Sequence, residues 1–176
     1  ADLGAEKFFD IKCRVGGLEP QAVVVVATIR ALKMHGGVAK DDLLTENVEA
    51  LKAGSINLKA HVENVRKFGV PPVVAINRFA SDSDAEVAAL RTACEEWGVL
   101  VVEADPHGQT GTGCLELADA VSDVVESGEA AYRPLYPDDM GLAKKIGVIA
   151  TEIYGADGVD FLDEAAKSID RLESFG

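Results

Sequence analysis

The sequence predicts an α/β fold: a parallel, Rossmann-like sheet of at least three strands with flanking helices, then two additional helices toward the C-terminus. Three observations carry this expectation. Residues 22–29, 73–76 and 99–104 are apolar runs of strand length. They are continuous rather than alternating, the pattern of strands buried on both faces. Stretches with helical spacing separate them, and strand, helix, strand, helix, strand, helix is the order of right-handed crossover units.

Taken in order, the first strand opens into a loop holding Arg30, Lys33, His35, Gly36 and Gly37. Two helical segments follow, about 45–53 and 56–68. The second carries Ile56, Val62, Val65 and Phe68 at mixed spacings and stops at Gly69 and Pro71. After the second strand, Ser83-Asp84-Ala85-Glu86 has the form of a capping box. It opens a helix through Leu90 and Cys94 to Trp97, with Gly98 as its stop. The third strand leads through a glycine-rich loop, 108–113, into a helix bearing Leu115, Leu117, Ala118, Val121, Val124 and Val125. Residues 132–137 read as a linker, and helices at about 138–154 and 160–174 complete the chain around the turn Gly155-Ala156-Asp157-Gly158. The expected organisation is an α/β portion over 1–131 and a linker with a helical segment over 132–176.

At 176 residues and 48% hydrophobic content the chain can bury one sizeable core. No stretch approaches the roughly 20 apolar residues of a membrane span, and the first residues lack a basic start and apolar centre. A cytoplasmic location with no membrane partner is the expectation. The chain begins at Ala1 without an initiator Met, as a processed product or a piece of something longer would. Cys13, Cys94 and Cys114 lie far apart with no C-x-x-C, so they read as ordinary buried or half-buried thiols, with no metal site. A net charge of −13 argues against nucleic acid, and it would repel an anionic ligand unless cationic groups lie elsewhere.

Open parallel sheets bind ligands outside the carboxyl ends of their strands, which directs attention to three loops. The second holds Asn77, Arg78 and Phe79 ahead of Ala80; the third holds Asp105, Pro106, His107, Gly108, Gly111 and Gly113. If the strands are neighbours, Phe79 and His107 rise from one edge and can clamp a planar ring. The alternative folds Phe79 back onto the core and leaves His107 in solvent. The glycines follow G-x-x-G-x-G and lack a Lys, so they form neither a dinucleotide fingerprint nor a phosphate-binding loop, and a flexible turn is the plainer reading. Asn77-Arg78-Phe79-Ala80 resembles the N-K-x-D base-reading loop of GTP-binding proteins but lacks its Asp. His35 has no nearby carboxylate or second His at ligand spacing, which points to a supporting role. His61 and Trp97 read as packing residues.

Long words of the sequence resemble formate–tetrahydrofolate ligase, also called 10-formyltetrahydrofolate synthetase. They are Ala1-Asp2-Leu3-Gly4-Ala5-Glu6-Lys7-Phe8, Asp10-Ile11-Lys12-Cys13-Arg14, Ala27-Thr28-Ile29-Arg30-Ala31-Leu32-Lys33-Met34-His35-Gly36-Gly37, Phe68-Gly69-Val70-Pro71 and Ala150-Thr151-Glu152-Ile153-Tyr154-Gly155-Ala156-Asp157-Gly158-Val159. The resemblance runs nearly end to end. It implies a P-loop NTPase-like domain portion, from the middle of a longer enzyme, that joins formate to tetrahydrofolate with ATP and Mg through formyl phosphate. The family's phosphate loop and the Arg that holds formyl phosphate would lie N-terminal to this chain.

The resemblance also assigns site residues. In the family the pterin sits between an aromatic in the loop after the A-I-N-x-F word and a Trp ahead of a Gly-rich turn and an L-E-L-A helix start. Counting back from Leu115-Glu116-Leu117-Ala118, Phe79 matches the first and His107 stands at the Trp position, while Ala80 replaces a usual Pro. Asn77, Phe79, Ala80 and His107 are thus the expected folate-binding residues, Pro106 and Gly108 the residues beside the nucleotide. No catalytic residue is expected within this chain, which should be inactive alone. Expected partners are formate, ATP, tetrahydrofolate, the remainder of the parent polypeptide and a further copy in a homo-oligomer. The competing expectation is a non-catalytic binding or assembly domain in which His107 marks a lost folate site.

Overall fold

The computed structural model describes residues 4–175. A helical stretch, α1, runs from an α turn Ala5–Lys7 through a π-type segment Phe8–Cys13 to a second α turn Arg14–Gly16. Then come β1 (Val23–Ala27), α2 (Ile29–His35), α3 (Val48–Lys67), β2 (Pro72–Asn77), α4 (Asp84–Glu96), β3 (Leu100–Ala104) and α5 (Leu115–Ser127). Helix α6 (Leu142–Val148) continues into a π-type segment Ile149–Ile153, and α7 spans Asp163–Glu173. No helix among the described residues is long and apolar enough to cross a membrane.

The three strands form one parallel sheet in the order β1-β2-β3, as the continuous apolar runs predict. Helices α2, α3 and α4 supply Leu32, Leu51, Leu58, Val62, Val87 and Leu90 to a core cluster that meets Val74, Ile76 and Val101 of the sheet. Strand alternation sends Val73 and Ala75 to the other face, where they too are buried. At β1 the expectation of double burial is not met. Ala27 is buried, but Val24 is 39% and Val26 63% exposed.

Two stretches depart from the sequence reading. Residues 30–35, read as loop, are helix α2, because the Thr28 side chain accepts from the Ala31 N–H and caps its first turn. The segments 45–53 and 56–68 are one helix, α3, capped by Asn47, whose side chain accepts from the Ala50 N–H at 2.9 Å. Gly54, which falls between the two segments as read, lets α2 and α3 approach backbone to backbone. A Cβ on Gly54 would lie 1.8 Å from the Leu32 carbonyl oxygen, and one on Gly36 would lie 1.9 Å from that of Ala50.

Among the described residues the chain forms two compact units, Glu19–Tyr132 and residues 4–18 with 133–175. In the second, buried Asp10 accepts from the Leu135 N–H at 2.9 Å and pairs with Arg14 at 3.4 Å. Burial raises the Asp10 carboxyl above its ordinary range despite these bonds. Arg14 also donates to the Tyr136 carbonyl and lies 4.9 Å from that ring's centre, while the Tyr154 hydroxyl donates to Glu6 at 3.0 Å. Helix α1 therefore holds the segment 135–138 by polar contacts, a role for 5–16 that the sequence reading did not foresee. Cys13 and Cys94 are buried and Cys114 half-buried, and burial pushes the Cys94 thiol up to about 11, where it is chemically inert at neutral pH.

Gly54→Ala should destabilise the chain by about 3 kcal/mol or more, since the added methyl meets backbone that cannot rotate away. Gly147→Ala, inside α6 with nothing within 4 Å of the new methyl, should stabilise by about 0.5–1 kcal/mol. Urea denaturation of the two variants against the parent measures both.

Candidate functional site

Register fixes the site. Asn77, the last residue of β2, pairs with Ala104, the last of β3, and the Arg78 N–H donates to the Ala104 carbonyl at 3.0 Å. The loops bearing Phe79 and His107 therefore leave adjacent strands at the same edge, outside the carboxyl ends where open parallel sheets bind ligands. Asn77 is half-buried, Phe79 half-buried and Ala80 exposed.

The Phe79 loop is tightly closed. The Phe79 N–H donates to Asp82 Oδ2 at 2.9 Å, and the Asp82 N–H returns to the Phe79 carbonyl at 2.9 Å. Asp82 is buried, so this Asx-type turn is a fixed feature of the loop. Ser83 then caps α4 in the predicted capping box, with Glu86 reaching back to its N–H at 3.2 Å. The Phe79 ring does not turn wholly into the core. Arg30, from the first turn of α2, lies over it with the guanidinium carbon 4.8 Å from the ring centre. Its Nη2 donates to the Ser81 Oγ at 2.8 Å.

Asp105 organises the third loop. Its Oδ1 accepts from the Gly108 N–H at 2.7 Å, and its carbonyl accepts from the Gln109 N–H at 3.1 Å. A Cβ on Gly108 would lie 2.4 Å from Asp105 Oδ2, and one on Gly113 2.2 Å from the Asp105 carbonyl oxygen. These two glycines make room for an aspartate. Pro106, His107 and Gly108 are exposed at the tip of this turn.

A cleft of about 530 Å³ opens beside the third loop, lined by Arg78, Arg91 of α4, Glu103 of β3, Asp105, Gln109 and Glu116 of α5. Both of its arginines are paired within the protein. Glu103 bridges Arg78 at 2.9 Å and Arg91 at 2.8 Å, and Arg78 also pairs with Asp84. Hydrogen bonding from Arg91, opposed by burial and helped by Arg78, holds the Glu103 carboxyl below its ordinary range. Arg78, a candidate at the sequence level, is thus engaged in a structural network. Glu103 was overlooked because it sits in an otherwise apolar strand; one charged residue in such a run is the signal that could have found it.

Lys33 is the other relocated residue. Rather than lining a loop it is 1% exposed in α2, with its Nζ 2.8 Å from the fully buried Glu86 Oε1 and 3.0 Å from the Thr45 carbonyl. Glu86 also accepts from the Asn47 N–H at 2.9 Å. Burial pushes the Glu86 carboxyl up, but the bonds from Lys33, Asn47 and Ser83 together outweigh it and leave the group below its ordinary value. His35 is exposed at the end of α2. Among the described residues, no group of three or more His, Cys, Asp or Glu side chains could hold a metal ion.

The family model for formate–tetrahydrofolate ligase matches residues 1–176. The formate–tetrahydrofolate ligase of Granulibacter bethesdensis is 55% identical over 176 residues, covering 100% of this chain and 31% of the relative. That of Maricaulis maris is 57% identical over 176 residues, covering 100% of this chain and 32% of the relative. That of Symbiobacterium thermophilum is 57% identical over 177 residues, with the same shares of 100% and 32%. The chain spans about a third of the length of the curated relatives it matches.

Glu86→Ala should cost about 3–5 kcal/mol by leaving the Lys33 ammonium buried without its partner. The acid sensitivity of the intact pair has a definite sign. With the folded pKa below the unfolded one, the stabilisation from Glu86 is fully present above the ordinary glutamate value and is lost as pH falls through the lowered one. Denaturant midpoints measured across the acid range should fall less steeply for the alanine variant than for the parent.

Proposed function

Because the chain belongs to the formate–tetrahydrofolate ligase family, we propose that it supplies the tetrahydrofolate side of the active site in an ATP-dependent ligase. In this reading the formate oxygen attacks the γ-phosphorus of ATP, ADP departs, and formyl phosphate forms. The tetrahydrofolate N10 then attacks the formyl carbon, loses its proton, and expels phosphate to leave 10-formyltetrahydrofolate. The first step needs positioned cations and backbone donors around a phosphate. That machinery belongs to the remainder of the parent polypeptide, together with the magnesium carried by ATP. The second step needs the pterin held flat and still, and this chain's loops are suited to that.

The observation that carries the proposal is the Asn77–Ala104 register pair, which brings the Phe79 and His107 loops out side by side. Phe79 is a half-buried aromatic on a closed turn. His107 stands on an exposed turn at the neighbouring strand end, with Asn77 and Ala80 completing the folate side. Pro106 and Gly108 belong beside the nucleotide. An imidazole stacks over less area than an indole, so this platform contributes less than a Trp would. Ligation measured in the complete parent separates this reading from a non-catalytic domain.

In the complete enzyme Phe79→Ala should weaken tetrahydrofolate binding about five- to tenfold, the scale of one aromatic contact, with formyl phosphate formation largely intact. His107→Trp should tighten it. Steady-state KM for tetrahydrofolate, set against formate-dependent turnover of ATP, checks both; two variants with unchanged folate affinity would overturn the clamp. The isolated chain, with no Lys-bearing phosphate loop in its sequence, should not bind ATP at micromolar concentration by calorimetric titration.

A further inference from the structure

The turn that closes on Asp82 fixes the backbone of Phe79 but leaves its ring free to rotate about two side-chain bonds. What restrains the ring comes from another strand end. Arg30 is delivered by α2 from a rigid base, since Ile29, Leu32 and Lys33 on either side of it are all buried. Its guanidinium covers the Phe79 ring at 4.8 Å and is tied across the loop to Ser81 at 2.8 Å. The Arg30 Nε is buried and has no hydrogen-bond partner. Two contacts thus locate the guanidinium, the Phe79 ring and the Ser81 hydroxyl.

We propose that Arg30 is a positioning residue for tetrahydrofolate, holding the Phe79 ring from one face so that the other is presented to the pterin. The inference rests on the reading of Phe79 as the folate platform. Two physical effects support it. A ring held on one face by a guanidinium, on a backbone fixed by the Asp82 turn, loses rotational freedom before the ligand arrives, so less entropy is lost on binding. A cation on one face also draws π density toward itself, and the opposite face then repels a stacked ring less. Lysine can supply the charge but not the planar fork that lies on the ring and reaches Ser81 together.

The test uses the complete ligase and compares KM for tetrahydrofolate with KM for ATP and formate. Arg30→Met should raise the folate KM about two- to fivefold and leave the other two unchanged. Ser81→Ala should raise it less, in the same direction. Arg30→Lys should recover part of the loss. In a Phe79→Ala background Arg30→Met should add nothing, because the residue acts through the ring. Should Arg30→Met fail to fold, Ser81→Ala and Arg30→Lys still decide: an unchanged folate KM in both overturns the proposal. Additive losses in the double variant, or equal rises in all three KM values, overturn it as well. If Phe79→Ala raises the folate KM while the Arg30 and Ser81 variants do not, the positioning role fails and the folate platform stands. If Phe79→Ala itself has no effect, the platform reading fails and this inference falls with it.

Discussion

The buried pair of Lys33 and Glu86 is the contact on which the arrangement of the first unit depends. Lys33 comes from α2 and Glu86 from α4, and the same carboxylate accepts the N–H groups of Asn47, ahead of α3, and Ser83, ahead of α4. One side chain thus ties together the helices that cover the sheet. A buried ion pair adds little net stability over a well-packed apolar pair. Its hydrogen bonds have direction, however, and direction is what the site requires. Arg30 lies three residues before Lys33 on α2, and the Phe79 turn runs straight into the Ser83 cap that Glu86 completes. The distance between Arg30 and Phe79 is set by a pair that touches neither.

The close approach of α2 to α3 makes that placement stiff. With Gly36 and Gly54 each facing a carbonyl of the other helix, neither helix can slide without backbone collision. The two strand-end loops then differ in character. The Phe79 turn is held by a buried aspartate, a cap and a guanidinium. The His107 turn is held chiefly by Asp105 at its base and is exposed along its tip.

Much of this was legible in the sequence. The three continuous apolar runs announced a parallel sheet, and the order of strands that they imply puts the loops of Phe79 and His107 at one sheet edge. The resemblance to formate–tetrahydrofolate ligase, carried by words such as Ala27-Thr28-Ile29-Arg30-Ala31-Leu32-Lys33, agrees with the family match over the chain. Less legible were contacts that need a helix to be placed first. Arg30, Lys33 and His35 look like a solvated loop when read by charge, and only the Thr28 cap betrays α2. Gly54 reads as a break when judged by propensity, although its purpose is to let another backbone in. Glu103 vanished into its strand because a count of apolar residues ignores the one that is not. Local pattern gives elements; partners emerge only from packing.

Among the described residues β1 pairs with β2 alone, and Val24 and Val26 leave part of its outer face apolar and open to water. Burying branched side chains of this kind is worth about 1.5–3 kcal/mol each, and an unpaired strand edge offers hydrogen bonds as well. Set against this attraction is the net charge of −13, which keeps copies of the chain apart as long as their fields reach one another. The reach shrinks from about 30 Å at 0.01 M salt to about 8 Å at 0.15 M. The colloidal behaviour of the separate chain is therefore governed by ionic strength: dilute buffer keeps it dispersed, and added salt brings the valine-faced edges within range of each other.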